Sequence, residues 1–403
     1  MGRAVLARLA SEDLSEARTL ALLTDLRRDL SPEMAGAALT LARLRVRAVS
    51  KFSRADALFF TPDALEQASG EIVSGWRARR FADFPVVADL GCGIGGDTLA
   101  LAGPLPKALP ARGKGLDSAP VRAAPRVIAL DRDALRLQMA RANLAAYGRA
   151  ASFVQADLTD PLPVRGIPAA FFDPARREEG RRVFSVRDYT PPLDVIGGWD
   201  FDALAVKLSP GVDLDELCPY TDQGAGVEFI SVGGELKEAV LWGGAFGFTG
   251  RRASRLETDG SGESLMPREL PPPPVSSPRA YLYEPDPAVI RAGLFGELAD
   301  HLGINLYRLD ESIAYLTGDS YVISPWVRVW PVWDWMPFNL KKLRARLQRY
   351  DVGRVTVKKR GSPITPEELI AKLKLRGGSR SAVVVLTHIA GQHSALICRE
   401  MER

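Results

Sequence analysis

The sequence predicts an α/β fold: a doubly wound, mostly parallel sheet, preceded by an N-terminal helical region and followed by small C-terminal α+β domains. Three observations predict it. Short apolar runs at 86–90, 126–131, 151–157, 169–172 and 204–208 each lead into a polar residue at their carboxyl end. The first run passes through Asp89 into four closely spaced glycines, Gly91, Gly93, Gly95 and Gly96, and helical spacing follows from Thr98. Residues 331–403 then alternate strand-like and helix-like patterns.

Taken in order, residues 1–80 read as helical. Leu39, Ala42, Val46 and Val49 form an apolar stripe, and Arg43, Arg47 and Lys51 a basic one on another face, which reads most simply as solvated surface. The segment 59–68 is a well-signalled helix start: Thr61 is the cap candidate, Pro62 suits the first helical position and Asp63 favours the dipole. Residues 81–270 carry the parallel sheet. A Pro/Gly/Ala/basic stretch at 103–126 reads as a loop insertion between its first helix and second strand. The runs 227–232 and 239–242 read as an antiparallel closing pair. The proline run 271–274 reads as a stiff domain linker. Residues 275–330 form a small module with one helix at 289–302, and 331–403 the final α+β domain, with helices at 340–347 and 366–373. Thr365 is the cap candidate of the last.

The polar residues at the strand ends carry the chemistry. In an open parallel sheet, ligands bind at the carboxyl ends of the strands. The glycine spacing is G-x-G-x-G-G, and Asp97 closes the loop. A carboxylate there repels phosphate and suits a cationic amino-acid group, which points to S-adenosylmethionine. Asp131, at the end of the second strand, is placed to accept hydrogen bonds from ribose hydroxyls. Asp157, after the third, is placed to meet an adenine amino group. Asp173-Pro174 follows the fourth, and Lys207 lies in the fifth. Cys92 reads as a small packing residue in the loop.

Composition sets the frame. A chain of 403 residues is too long for one core of ordinary size. With 53 basic and 49 acidic residues the net charge is +4, so distribution rather than total must speak for nucleic acid. The three cysteines and three histidines show neither a disulfide framework nor zinc spacing, which implies no metal and a reducing, cytoplasmic setting. No signal peptide is read at the N-terminus, and no apolar run is long enough for a membrane.

On these residues the chain resembles the class I S-adenosylmethionine-dependent methyltransferases, over roughly 61–256. The resemblance implies a Rossmann-like sheet in which Asp89 and the loop Gly91, Gly93, Gly95, Gly96, Asp97 hold the methionine portion. It gives Asp131 the ribose and Asp157 the adenine edge. Asp173, Pro174, Ala175 and Arg176 occupy the place of the acceptor motif of N-methylating members, usually an Asp or Asn, two prolines and an aromatic. Asp173 and the Pro174 carbonyl would hold the target amine, with Arg176 and Lys207 near the reacting groups. Ala175 and Arg176 depart from the pattern, so the surface that stacks on a base is missing; Phe60, Phe172 and Tyr189 are candidates for it, or core aromatics. The segment with Phe60 and Thr61 resembles one that covers the cofactor pocket in trimethylguanosine synthase-like RNA methyltransferases. The tail resembles the THUMP-like domain, most recognisably at Val357-Lys358-Lys359-Arg360-Gly361, and 275–330 resembles its ferredoxin-like companion.

THUMP domains as a class bind RNA, and Lys341, Lys342, Arg344, Arg346, Arg349, Lys358, Lys359, Arg360, Lys372, Lys374, Arg376 and Arg380 concentrate in this tail. Arg176, Arg177, Arg181 and Arg182 form a second cluster, facing RNA or pairing with Glu178 and Glu179. The reading is an RNA methyltransferase acting on tRNA or rRNA, with transfer to a base nitrogen. Two others stay open: a protein or small-molecule methyltransferase whose tail is a docking module, and a non-catalytic RNA-binding protein that retains the cofactor fold.

Overall fold

The computed structural model describes residues 2–103, 124–175, 177–178, 181–182, 185–375 and 377–401. Most of the expected loop insertion, Arg176 and Arg376 lie outside the described residues, as do the side chains of the cluster Arg177, Arg181 and Arg182. The chain forms two compact units. The first comprises residues 1–227, 237–250 and 256–261, and the second 228–236, 251–255 and 262–403.

In the first unit the N-terminal helices include Gly2–Leu9, Thr19–Leu26, Pro32–Ala48, Pro62–Gln67 and Glu71–Ala78. The helix Pro32–Ala48 starts where the sequence signals it: the Ser31 hydroxyl accepts from the Met34 amide at 3.3 Å, and Pro32 takes the first turn. Its apolar stripe behaves differently from the expectation. Leu39 and Ala42 are buried, but Val46 is 65% and Val49 70% exposed. The leucines at positions 9, 22, 26 and 30 cover only its first half, with Ala35, Leu39 and Ala42. The second half buries its other face, Leu44 and Ala48, against Phe52, Leu58 and Phe60. The basic stripe is also partly structural. Arg43 donates to the Leu14 and Ser15 carbonyls and to Thr19 Oγ1, and Lys51 spans three carbonyls described below.

The sheet of this unit contains β1 (Val86–Leu90), β2 (Arg126–Asp131), β3 (Ser152–Gln155), β4 (Ala169–Phe172), β5 (Ala203–Leu208) and β6 (Glu235–Gly244). They lie in the order β6-β5-β4-β1-β2-β3, so the direction of winding reverses at β1. All pairs are parallel except β5 with β6. The strands β1, β2, β4 and β5 are buried almost throughout, as a sheet covered on both faces requires. Register aligns their carboxyl ends: Leu90 lies opposite Leu130 and Phe172, and Phe172 opposite Val206. One edge of the sheet therefore presents Gly91, Asp131, Asp173 and Lys207.

The second unit is built on seven strands: β7 (Tyr281–Pro285), β8 (Tyr307–Asp310), β9 (Ile313–Gly318), β10 (Val327–Pro337), β11 (Val352–Lys359), β12 (Arg380–Ile389) and β13 (Gln392–Arg399). Their order is β8-β9-β7-β10-β13-β12-β11, antiparallel except for β11 with β12. The helices Leu340–Arg349 and Pro366–Leu373 pack Leu343, Leu347, Leu369 and Leu373 onto it. The single helix expected at 289–302 is two, Pro287–Ala292 and Phe295–Leu302, because Gly293 takes a left-handed conformation at φ +72°. The proline run lies within this unit, where the Pro274 carbonyl accepts from the Arg308 amide at 2.9 Å. The boundary expected at 330/331 falls inside β10.

Candidate active site

The glycine loop is shaped by close approaches of backbone. The amides of Gly91 and Cys92 both donate to the Leu130 carbonyl at 2.9 Å. Gly91 has φ +81°, and a Cβ there would lie 2.9 Å from the Asp173 carbonyl oxygen. Gly95, at φ +85°, would place a Cβ 3.1 Å from Ala140 and Leu144. Gly93 is left-handed at φ +54°, and Gly96 begins the helix Gly96–Leu101. The Cys92 thiol is pushed well up by burial, so it is a packing residue and not a thiolate.

The strand-end acids divide into distinct environments. Asp131 spans two backbone donors: Oδ2 accepts from the Gly93 amide at 2.8 Å and Oδ1 from the Asp133 amide at 2.9 Å. It thereby ties the glycine loop to the end of β2 and keeps further lone pairs for a ligand. Asp89 is fully buried. Its Oδ2 accepts from the Thr98 hydroxyl, while Oδ1 has no hydrogen-bond partner among the described residues. Burial, with Asp97 close by, pushes its carboxyl up to about 8. Asp157 is exposed, and its Oδ1 accepts from the Thr159 amide and hydroxyl at 2.9 and 2.7 Å, which holds its pKa below the ordinary carboxylate value.

Asp97 does not stand open. It pairs with Arg77, whose guanidinium also reaches Glu238 at 3.0 Å and lies 4.5 Å over the Phe171 ring. Arg77 is 2% exposed, so two charges meet it where water does not. Sequence reasoning missed Arg77 and Glu238. Arg77 sits in a basic run with Arg79 and Arg80, and nothing local distinguishes it from them.

At the carboxyl ends of β4 and β5, Lys207 Nζ donates to Asp173 Oδ2 at 2.7 Å and to the Gln67 carbonyl at 3.2 Å. Lys51 lies close enough for its charge to be felt. Its ammonium caps the helix Pro62–Gln67 by donating to the carbonyls of Leu65, Glu66 and Ala68 at 2.8, 3.1 and 2.9 Å. Burial, with Lys207's charge added, lowers the Lys51 pKa to about 8. Pro174 is buried, and Ala175 exchanges backbone hydrogen bonds with Thr190. Thr61 caps its helix by accepting from the Ala64 amide at 3.2 Å. The three candidate stacking aromatics are all interior. Phe60 packs 5.6 Å from Phe52, Phe172 packs 4.9 Å from Trp199, and the Tyr189 hydroxyl accepts from the Ser209 amide.

A left-handed glycine loop, a strand-end acid on its amides and a buried acid with an unpartnered oxygen suit a nucleoside-bearing cofactor with a cationic amino-acid portion. Comparison with known proteins specifies it. An uncharacterised S-adenosylmethionine-dependent methyltransferase of Mycobacterium tuberculosis, found in two strains, is 37% identical over 350 residues, covering 84% of this chain and 88% of the relative. The chain belongs to the S-adenosylmethionine-dependent methyltransferases, and S-adenosylmethionine is its cofactor. The crystal structure of a protein from Porphyromonas gingivalis W83, assigned as a methyltransferase, shares the fold at TM-score 0.68 and 21% identity, over 96% of this chain and 99% of that one. Residues 327–400 match the family described as THUMP domain-like, and residues 1–48 a domain of unknown function (DUF8688).

Proposed function

We propose that the chain methylates RNA, at a base nitrogen of tRNA or rRNA. The observation that carries this reading is the THUMP domain-like region joined to the methyltransferase unit in one chain, with Lys341, Lys342, Arg349, Arg354, Lys359, Lys372, Lys374 and Arg380 exposed on it. Clustered exposed cations of this kind suit a phosphate backbone.

Bound S-adenosylmethionine supplies an electrophilic methyl group on sulfonium sulfur. Asp131 holds the ribose while its backbone contacts keep the loop in place, and Asp157 meets the adenine edge. Asp89, through its unpartnered oxygen, holds the ammonium of the methionine portion beside Gly91, Gly93, Gly95 and Gly96. Asp97 acts through Arg77 as a positioning residue and not as a direct ligand. Phe60 and Thr61 shape the wall of the pocket from the segment that resembles the one in trimethylguanosine synthase-like enzymes. Asp173 and the Pro174 carbonyl orient the acceptor amine, and Lys207 holds Asp173 in place. Arg176 remains assigned to the acceptor side by resemblance. Transfer to nitrogen needs alignment more than proton chemistry, so these residues act mainly by placing donor and acceptor.

Incubating the purified chain with methyl-labelled cofactor and RNA, protein and metabolite fractions from a strain lacking it tests the reading. Label in tRNA or rRNA is expected. Label only in protein or small molecules overturns it.

A further inference from the structure

The helix Pro62–Gln67 has six residues, short enough to be marginal without help from outside it. Its Ala64 carbonyl accepts from the Ala68 amide at 2.9 Å, and the carbonyls beyond are the orphans of a helix end. Two ammonium groups supply their donors. Lys51 Nζ, from the turn after the helix Pro32–Ala48, takes the carbonyls of Leu65, Glu66 and Ala68 at 2.8, 3.1 and 2.9 Å. Lys207 Nζ, from β5, takes the Gln67 carbonyl left between them at 3.2 Å. Two side chains thus hold the consecutive carbonyls 65 to 68.

Lys207 carries this arrangement to Asp173. The same ammonium that holds Gln67 donates to Asp173 Oδ2 at 2.7 Å. The Asp173 backbone is fixed separately, by its amide donating to the Leu90 carbonyl at 3.0 Å, so Lys207 steers the carboxylate alone. The other end of the helical segment is also fixed separately. Asn143 pins the Phe59 amide and carbonyl at 2.7 and 3.1 Å, and Phe60, Ala64 and Leu65 share a buried cluster with Ile94. Loss of Lys51 therefore loosens the last turn, where Lys207 is tied, and leaves the glycine-loop side in place.

We propose that Lys51 is a positioning residue for methyl transfer: it clamps the end of the helix Pro62–Gln67 so that Lys207 holds the Asp173 carboxylate toward the acceptor. This rests on the reading of Asp173 as the acceptor-side acid. Three carbonyls match the three donors of an ammonium, whereas a neutral amine offers two and a lone pair. The clamp therefore depends on a proton. The charges felt by Lys51 are Lys207 on β5, Glu66 on the clamped helix, Lys237 on β6 and Arg47 on the preceding helix. The Glu71 carboxylate, on the following helix, is taken by Ser53 and Tyr147. Burial first, then the Lys207 charge, brings the Lys51 pKa down to about 8. About nine-tenths of the clamp is then charged at pH 7 and about one-tenth at pH 9. An arginine stays charged throughout.

The test compares turnover of the full chain, Lys51→Met and Lys51→Arg at pH 7 and 9, with saturating methyl-labelled cofactor and RNA from a strain lacking the protein. At pH 7, Lys51→Met should turn over at least threefold more slowly than the wild type, and at pH 9 within twofold of it. Lys51→Arg should match the wild type at pH 7 and exceed it at least threefold at pH 9. Other titrating groups are common to all three and cancel in the ratios. Cofactor affinity at pH 7 should agree within twofold. Ratios that do not change with pH, or a Lys51→Met that loses cofactor instead of turnover, overturn the proposal. If Lys51→Met fails to fold, the ratio of Lys51→Arg to wild type decides alone. Asp173→Asn is run alongside: if it turns over normally, the acceptor reading itself has failed, whereas a slow Asp173→Asn beside a normal Lys51→Met sinks only the clamp. If label enters protein or small molecules, the RNA reading fails and the same ratios are read there. If nothing is labelled, thermal melting of Lys51→Met, Lys207→Met and the double variant decides. A combined loss smaller than the sum supports one shared helix end, and additive losses overturn it.

Discussion

Asp89 and Asp173 both belong to carboxyl ends of strands, yet the fold sets them apart. Asp89 has a pKa of about 8 because it is buried beside Asp97, so below that pH its carboxyl carries a proton in the cofactor-free protein. Its folded pKa is raised above the unfolded 3.8, so the stabilisation from its protonation is complete below 3.8 and lost as pH rises through about 8. A cationic ligand favours the ionised form. Cofactor affinity is therefore expected to rise between pH 6 and 8, by up to about tenfold per pH unit, and to level above. Calorimetry at several pH values should show the slope in the wild type and its absence in Asp89→Asn. Asp173 instead pairs with Lys207, which is only 2% exposed. Replacing Asp173 by Ala would strand that ammonium at a cost of about 3–5 kcal/mol, so Asp173→Asn is the informative change. It should lower turnover by about 10²-fold through misplacement of the acceptor, with cofactor affinity nearly intact. Parallel loss of cofactor binding would move Asp173 to the cofactor side. The sequence makes these acids visible because each closes an apolar run. It hides Arg77, because a buried arginine and its half-buried neighbours Arg79 and Arg80 look alike until Asp97 and Glu238 are brought to it from other elements.

At the scale of elements, legibility followed local chemistry. The parallel strands were readable to within about two residues, since apolar runs bounded by Gly, Pro or Asp leave little freedom. The cap at Thr365 was readable too, and it forms a full capping box with Glu368. The break at Gly293 was missed because helical spacing continues across it. The exposed Val46 and Val49 were missed because periodicity names a face but not the length of the partner that covers it. The glycine loop gives a direct test. Gly91→Ala should cost at least about 1–2 kcal/mol for its left-handed backbone, and more because the Asp173 carbonyl is 2.9 Å from the added carbon. Gly93→Ala meets nothing within 4 Å, so only the backbone cost applies. Thermal melting should rank Gly91→Ala below Gly93→Ala, and turnover should fall further in Gly91→Ala because Asp173 moves.

At the scale of the whole molecule, charge and boundaries decide what can be expected. The basic tail was legible as composition, but its pairing was not. Lys358 and Arg360 share Glu284, while Lys341 and Lys342 stand exposed at the start of their helix. Lys341→Ser with Lys342→Ser should therefore flatten the slope of log affinity against log salt by about 0.7 per lost contact on single-stranded RNA. An unchanged slope would mean these lysines touch no phosphate. No helix among the described residues is long and apolar enough to cross a membrane. The proline run suggested a joint between bodies, yet its carbonyls are used within one of them, a long-range pairing that composition does not encode.

The strand β10 carries a consequence of its own. Its first residues, Val327 to Pro331, lie against β7, and its later ones, Val332 to Pro337, against β13. The strand lies wholly within the stretch matched by the THUMP domain-like family, and its first half pairs that stretch with β7, which precedes it. Cooperative opening follows such continuity. Fraying β7 exposes the same strand that anchors β13, so neither side can release its central amides alone. Under native conditions, the deuterium uptake of β7, β10 and β13 should run on a single clock.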